Sequence, residues 1–211
     1  MFVNVVKPFV VFALITCGAF NAQAADIGLA EMVERDVSGK IGTTTTKLNV
    51  GDSVQQNQTI LTAASSSALL RFLDNTNLSI GPTSSVVLDR FVFDKNPSAK
   101  NVIIELTKGG FRFVTGKQDP RTYEIRTPVA TIGVRGTTIG FFVESGRTSV
   151  LLKEGGITVC TRSTNACVTT NRAEDMIVIT AAGITQPRPR SASEPDFKDW
   201  CSDRGASCNL R

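Results

Sequence analysis

Residues 127–140, with the sequence TPVATIGVRGTTIG, decide how this chain folds. Strand-like runs flank the stretch on both sides, and its proline and glycines mark points where a strand turns or bends. Pro128 has a fixed φ and no backbone N–H, so it belongs at the start or the edge of a strand. Gly133 and Gly136 permit a bulge or a positive φ that other residues resist. The stretch therefore predicts a strand crossing in a β-domain.

Arg135 lies between these two glycines and is the residue of the stretch for which we consider a role beyond structure. A guanidinium can clamp a carboxylate with two hydrogen bonds, either inside the fold or on a bound ligand. The alternative is an internal ion pair or a brace for backbone carbonyls at the crossing. A phosphate-binding loop is not expected, because the stretch lacks the G-x4-G-K-[ST] spacing and no helical pattern follows it.

Short apolar and β-branched runs recur about every ten residues between residues 48 and 180, separated by turn-forming residues. Two of the expected turns lie at residues 74–77 and 154–156. The spacing predicts an all-β fold, a jelly-roll or β-roll-like sandwich of short strands. A short β-solenoid is the alternative, since it has similar turn and strand spacing. Five phenylalanines are expected in the core: Phe72, Phe91, Phe93, Phe111 and Phe113.

The composition becomes polar and proline-bearing from residue 186 onward. This change predicts a mostly irregular tail that contains a small disulfide loop. The expected segments are a signal peptide (1–24), lead-in strands (25–47), the β-domain (48–160), a C-terminal hairpin extension (161–185) and the tail (186–211).

The N-terminus has the pattern of an export signal. Lys7 precedes an apolar run at residues 9–15, and small residues end in Ala22-Gln23-Ala24. This order is typical of a cleaved signal peptide and predicts a periplasmic or secreted protein with no stable membrane span after cleavage. Two alternatives stay open. The first is lipidation at Cys17, although Thr16 is a poor match to a lipobox, and the second is retention as an uncleaved anchor.

Four cysteines follow the predicted cleavage site, and an even number in an exported chain predicts disulfides. The local pairing Cys160–Cys167 with Cys201–Cys208 is favoured, because each pair brackets a short polar loop. Two other pairings remain possible, and so does a zinc site formed by all four thiolates. The zinc site lacks the usual C-x2-4-C spacing.

The charged residues do not indicate an enzyme or a nucleic-acid partner. The net charge is +4, from 23 basic and 19 acidic residues, and loss of Lys7 leaves +3. This charge is too small to predict nucleic-acid binding. The chain has no histidine, which excludes Ser-His and Cys-His nucleophiles. Glu124, Glu144 and Glu154 show no spacing that pairs them for glycoside hydrolysis. We expect no catalytic residue, no cofactor and no metal ligand.

Several ordered motifs resemble the FecR domain family over residues 48–160. The last of them, Thr127-Pro128-Val129-Ala130 with Val134-Arg135-Gly136-Thr137, is the most specific, and Gly133 lies between its two halves. Asp74-Asn75-Thr76 departs from the family's Asp-Gly-Ser/Thr, with Asn at a turn position that Asn also tolerates. The other motifs are Gly51-Asp52, Ile60-Leu61-Thr62, Leu69-Leu70-Arg71-Phe72, Leu78 with Gly81-Pro82-Thr83-Ser84, and Leu106-Thr107-Lys108-Gly109-Gly110.

The resemblance implies an all-β extracytoplasmic domain without catalytic residues. Founding members of the family relay a signal from an outer-membrane transporter to a sigma factor through a cytoplasmic segment. Only eight residues precede the apolar run here, so we expect no such segment. The leading expectation is a non-enzymatic binding or scaffold module whose partner is an unidentified envelope protein or glycan. The alternative is a component of a transmembrane signalling system of the FecR type, acting through an uncleaved anchor or a separate membrane partner.

Overall fold

The computed structural model describes residues 25–91, 101–115 and 122–208, and only the backbone at residues 90, 91, 101, 122 and 135. The predicted signal peptide, Cys17 and Phe93 lie outside the described residues. The described chain forms sixteen strands and one helix. They are β1 Asp26–Glu34, β2 Val37–Ile41, β3 Thr44–Lys47, β4 Ser53–Gln55, β5 Gln58–Thr62, β6 Ser67–Phe72, β7 Asn77–Ile80, β8 Ser85–Phe91, β9 Asn101–Val114, β10 Thr122–Arg126, β11 Ala130–Glu144, β12 Arg147–Thr161, β13 Cys167–Thr170, β14 Asp175–Thr180, β15 Gly183–Ile184, β16 Arg188–Pro189 and α1 Phe197–Ser202.

Two sheets share the three long strands β9, β11 and β12. The first sheet has the order β4-β1-β6-β7-β9-β11-β12-β14-β15. The second sheet has the order β3-β2-β5-β8-β9-β10-β11-β12-β13. Among the described strands, β9 and β10 form the parallel pair and the other pairs are antiparallel. This arrangement confirms the predicted all-β sandwich of roll type, and the mainly antiparallel pairing does not fit a β-solenoid.

Each long strand bends from one sheet into the other at a glycine with a positive φ. The glycines are Gly109 (φ 115°) in β9, Gly136 (φ 60°) in β11 and Gly155 (φ 88°) in β12. A Cβ on Gly155 would lie 2.3 Å from the carbonyl oxygen of Gly136, so the two bends pack closely against each other. The predicted turn at residues 154–156 is therefore wrong. Glycine bends the continuous strand Arg147–Thr161 there without ending it.

One hydrophobic core fills the space between the two sheets, with buried side chains from both. Phe72, Phe111 and Phe113 are at most 2% exposed, which confirms their predicted core positions. The buried Tyr123 packs edge-on to Phe113 at 5.0 Å and shares a hydrogen bond of 2.7 Å with Thr76 Oγ1. Burial of each such aromatic side chain stabilises the fold by about 1.5–3 kcal/mol.

The turn before β7 shows why the family motif accepts asparagine there. Asn75 has a φ of 65°, a region that asparagine enters more readily than most residues with a Cβ. Asp74 Oδ1 accepts a hydrogen bond of 3.0 Å from the backbone N–H of Thr76. Asp52 similarly accepts from the N–H of Asn49 at 2.7 Å. These two carboxylates therefore stabilise turns, as short acceptors beside turn residues do.

The structure contains the locally paired disulfides Cys160–Cys167 and Cys201–Cys208. Cys160 and Cys167 lie opposite each other in the β12–β13 hairpin. A four-residue loop at residues 162–165 closes that hairpin, and Asn165 has a φ of 55° there. Because all four sulfurs are in disulfides, the alternative of a zinc site held by four thiolates is excluded.

From residue 186 the described chain is irregular apart from the two-residue strand β16 and one short helix, and this helix was not predicted from the sequence. Helix α1 begins at a capping box, in which Asp196 Oδ1 accepts from the N–H of Asp199 at 2.9 Å. Phe197 and Trp200 on the helix are buried against the first sheet. We call residues 196–208 the cap. In the described chain, no helix is long and apolar enough to cross a membrane.

Candidate interaction surface

Four loops and the cap enclose a groove of about 750 Å³ at one end of the sandwich. The loops are the turn after β7, the bend of β9, the β10–β11 turn and the β11–β12 turn. Their contributions include Thr83, Lys108, Pro128 and the exposed residues 144–146. We call this the Pro128 groove, because Pro128 belongs to the motif that defines the fold.

The β10–β11 turn holds Pro128 in a fixed position through the buried Thr127. The N–H of Thr127 donates to the carbonyl oxygen of Ala130 at 2.9 Å, which closes a two-residue loop. Thr127 Oγ1 accepts from the N–H of Ala130 at 3.0 Å and from Thr148 Oγ1 at 2.9 Å. Arg162 Nη1 also donates to the Thr127 carbonyl oxygen at 3.2 Å. The turn is therefore rigid, and the exposed proline ring is presented to solvent.

The opposite wall is built where three of the family motifs meet. Thr62 Oγ1 donates to the carbonyl oxygen of Gly81 at 2.6 Å and accepts from the N–H of Ser84 at 2.9 Å. Ser84 Oγ in turn accepts from the N–H of Gly110 at 3.2 Å. A Cβ on Gly109 would lie 2.0 Å from Ser84 Oγ, so this approach requires glycine. Three motifs that are separated in the sequence are thus joined by hydrogen bonds at one place in the fold.

The cap supplies the third wall through Trp200 and Arg204. Trp200 packs at 5.4 Å from the Phe142 ring and is 7% exposed. The Arg204 guanidinium lies 3.5 Å from the centre of the indole ring, a cation–π contact, and its Nη1 donates to the Trp200 carbonyl oxygen at 3.2 Å. The indole Nε1 is buried and has no hydrogen-bond partner among the described residues.

The groove combines an apolar base with a charged rim. Pro128, Val143 and Trp200 are the apolar part, and Lys108, Glu144 and Arg204 carry charge of both signs. Aromatic and arginine side chains beside apolar surface are enriched where proteins bind one another. The arrangement therefore suits contact with an extended or looped protein segment.

The structure distributes the six residues of the strongest motif over three places. Thr127 and Pro128 lie at the groove, whereas Gly133 lines a shallow, threonine-rich surface on the second sheet. Gly136 and Thr137 form the bend of β11, where the N–H of Thr137 donates to Thr115 Oγ1 at 2.6 Å. The backbone of Arg135 pairs with Gly156, but its side chain lies outside the described part, so its role stays a prediction.

The carboxylates considered for glycoside hydrolysis do not come together. Glu154 pairs with Thr138, which is six residues from Glu144 along β11, or about 20 Å at ~3.3 Å per residue. Glycosidases place their two carboxyl groups about 5–9.5 Å apart. Glu124 is instead in an ion pair with Arg126 at 2.6 Å. Among the described residues, no cluster of three cysteine or acidic side chains can hold a metal ion.

Three groove residues were not predicted from the sequence: Lys108, Trp200 and Arg204. Trp200 is the chain's one tryptophan, and it lies in the segment predicted as an irregular tail. The Asp196 and Asp199 spacing is a capping signal that would have predicted a helix there. No local pattern could have predicted that the cap packs on the first sheet, because the residues in contact are far apart in the sequence.

The fold and the groove together define an all-β domain with a loop-lined groove at one end. Residues 58–158 match the family described as FecR protein. The match runs from β5 into β12 and includes the β10–β11 turn.

Two crystal structures of a candidate anti-sigma factor from Parabacteroides distasonis ATCC 8503 have a similar fold. Each has a TM-score of 0.52 and 14% sequence identity, over 64% of this chain and 60% of the other. This chain thus matches about 60% of the length of those structures. At such identity the similarity concerns the fold alone. No curated protein matches the chain.

Proposed function

We propose that this chain is an exported, non-enzymatic FecR-domain module that acts in the cell envelope by binding a protein partner at the Pro128 groove. The observation that carries the proposal is the groove itself. Three family motifs and the cap converge on it, and it presents Pro128 and Trp200 between charged residues. Export rests on the N-terminal pattern of residues 1–24.

A protein partner fits the groove better than a glycan does. A glycan site commonly offers an open aromatic face on which a sugar ring stacks, whereas the Trp200 indole is 7% exposed and covered by the Arg204 guanidinium. The groove instead offers a tryptophan, a stacked arginine and a proline, which match the composition of protein interfaces. Lys108 and Arg204 outnumber Glu144, so a partner segment with acidic residues beside apolar ones would complement the rim.

A photo-crosslinking amino acid placed at single positions in living cells tests this proposal. Ser145 is exposed at the groove, and Thr169 is exposed on the second sheet away from it. We expect a discrete crosslinked protein from position 145 and none of that size from position 169. Lys108→Glu together with Arg204→Glu should reduce the yield at position 145 at least several-fold. The absence of any adduct at position 145, or equal adducts at both positions, would contradict the proposal.

The second candidate is a membrane signalling component that regulates a sigma factor, as the description of the two structural neighbours suggests for those proteins. In this case the N-terminus stays as an anchor, or the chain works through a separate membrane protein. N-terminal sequencing of the protein recovered from cells separates the two forms. A start at Ala25 eliminates the anchored form, whereas an intact Met1 would eliminate the freely exported module.

A further inference from the structure

A small cavity of about 70 Å³ lies between the outer surface of the first sheet and the start of the cap. Gly140 forms its base and has nothing closer than 3.8 Å above the position of a Cβ. Arg112 of β9 and Leu151 of β12 stand on either side of this glycine in the sheet register. Since a water molecule occupies about 30 Å³, the cavity has room for about two waters or one small carboxylate group.

Arg112 is a half-buried guanidinium that lines this cavity. In the described part of the chain, no hydrogen bond or ion pair reaches it. Burial lowers the pKa of Arg112 below its ordinary value, and no acidic neighbour offsets that effect. The guanidinium still carries its charge at neutral pH, and it is partly withdrawn from water without gaining an acceptor from the described chain. A bound anion would supply that missing acceptor.

The other charged groups at the cavity favour an anion with a single charge. Lys153 is engaged in an ion pair with Glu174. Asp196 is oriented by its capping hydrogen bond to the N–H of Asp199 and does not pair with Arg112. Arg112 and the exposed Lys198 therefore face one acidic group, Asp196, which leaves one net positive charge. A phosphate dianion would be repelled by Asp196 more strongly than a monoanion would.

We propose that this cavity is a carboxylate-binding site, in which Arg112 holds a monoanionic carboxylate through two parallel hydrogen bonds and Lys198 contributes the second positive charge. Planar guanidinium and carboxylate groups match in geometry, which makes arginine the preferred residue for this recognition. The buried Leu151 and Phe197 accept the apolar carbon that carries the carboxylate. The site is separate from the Pro128 groove and does not depend on the function proposed for that groove.

The test follows the Nε–Hε resonances of the arginine side chains in a ¹⁵N-labelled chain. Sodium acetate replaces sodium chloride at constant ionic strength, and sodium phosphate is used in a parallel titration. We expect the Arg112 signal to move saturably with acetate, with half-saturation on the order of 1 mM. Phosphate should bind more weakly. A linear shift that is the same for all salts, or tighter binding of phosphate, would overturn the proposal.

Two peptide-like probes distinguish the sources of the carboxylate. N-acetyl-glutamic acid α-amide carries one side-chain carboxylate, and N-acetyl-glutamine amide is its neutral counterpart. Saturation by acetate and by the glutamic acid probe supports a site that accepts an acidic side chain of a protein. Saturation by acetate alone supports a site for a small free carboxylate. Saturation by the glutamine probe at the same concentration as the glutamic acid probe would overturn the proposal.

Variants separate binding from structure. Arg112→Gln should abolish the acetate response, and Arg112→Lys should weaken it about tenfold because the second parallel hydrogen bond is lost. Lys198→Gln, at an exposed position that leaves the fold intact, should weaken it several-fold. Arg71→Gln is the matched control, since Arg71 is an exposed arginine of the same sheet that pairs with Glu31. An unchanged acetate response in a folded Arg112→Gln variant would show that Arg112 does not bind the anion.

Discussion

At the scale of single residues, Gly110 decides whether the cap can lie on the first sheet. A Cβ at this position would lie 2.4 Å from Cδ1 and 2.5 Å from Nε1 of the Trp200 indole. The indole is held between Gly110, Phe142 and the Arg204 guanidinium, so it has little room to move. The contact with Trp200 therefore requires glycine at position 110. The two glycines of the LTKGG motif have different roles, since Gly109 bends β9 and Gly110 leaves room for the cap.

Gly110→Ala should destabilise the protein by about 1–3 kcal/mol, as overpacking of a filled site does. Urea denaturation measures this loss. Gly133→Ala is the matched control, because a Cβ at Gly133 has nothing within 4 Å and its backbone needs no positive φ. That variant should stay within about 0.5 kcal/mol of the wild type. Equal stability of the two variants would show that the cap does not pack on Gly110.

Glu194 lies in the segment that precedes the cap, and its carboxylate should make the stability of the protein depend on pH. Arg188 donates to both of its carboxylate oxygens, at 2.6 and 2.9 Å, and the Ser191 N–H and hydroxyl also donate to it. These hydrogen bonds, with that of Arg188 the largest, lower the pKa of Glu194 from 4.5 to about 2. Because the folded-state pKa is the lower one, the stabilisation is complete above about pH 4.5 and disappears as the pH falls toward 2.

Comparison of the wild type with Glu194→Gln between pH 7 and pH 2 tests this expectation. The wild type should have the larger free energy of unfolding at pH 7, and the difference should shrink steadily below pH 4.5. The contribution is reduced by solvent, since the Arg188 side chain is 47% exposed. A difference that stays constant over the whole pH range would show that Glu194 does not titrate with a lowered pKa.

At the scale of elements, the Cys201–Cys208 disulfide closes the cap on itself and so keeps it in the shape that packs on the sheet. The helix α1 has six residues, which is too short to be stable by itself. Phe197, Cys201, Ala206 and Cys208 form a small hydrophobic cluster that closes around the disulfide. Two hydrogen bonds join the cap to the rest of the domain. Ser65 Oγ donates to the carbonyl oxygen of Arg204 in the cap, and Ser207 Oγ in the cap donates to Glu34.

Replacement of both Cys201 and Cys208 by alanine should therefore loosen the cap. The loss of an eight-residue loop closure corresponds to about 2–3 kcal/mol. The chain has one tryptophan, so its fluorescence reports on the cap alone, and exposure of Trp200 should shift the emission to longer wavelength. The same replacement at Cys160 and Cys167 is the control, because those residues close the distant β12–β13 hairpin. A red shift in both variants, or in neither, would contradict this role.

At the scale of the whole molecule, local signals predicted the strands and most turns but not the way in which the strands are joined. The turn at Asp74–Thr76 was predicted because its geometry depends on adjacent residues. Residues 154–156 have the same turn-like composition, yet Gly155 bends a continuous strand. The difference is set by Gly136 on another strand, which no local pattern contains. The groove was unpredictable for the same reason, since Pro128 and Trp200 meet only in the folded chain.

The strands that pass from one sheet into the other make the two sheets one cooperative unit. β9, β11 and β12 contribute to both sheets, and buried residues of both sheets form one core. The loss of one sheet would therefore remove strands from the other. Gly155 is the position that tests this coupling, because it lies at a bend, has a φ of 88° and allows no Cβ.

Gly155→Ala should destabilise the protein by about 3 kcal/mol, from the left-handed backbone and from the clash with Gly136. Gly146→Ala is the matched control, since Gly146 has a φ of 70° with open space around it, and only the backbone contribution of about 1–2 kcal/mol should appear. Native-state hydrogen exchange measures the effect on each sheet through the amides of Leu70 in β6 and Ile60 in β5. The free energy of opening should decrease by the same amount at both amides, because the two sheets open together. Retained protection at Leu70 with lost protection at Ile60 would show that the sheets unfold independently.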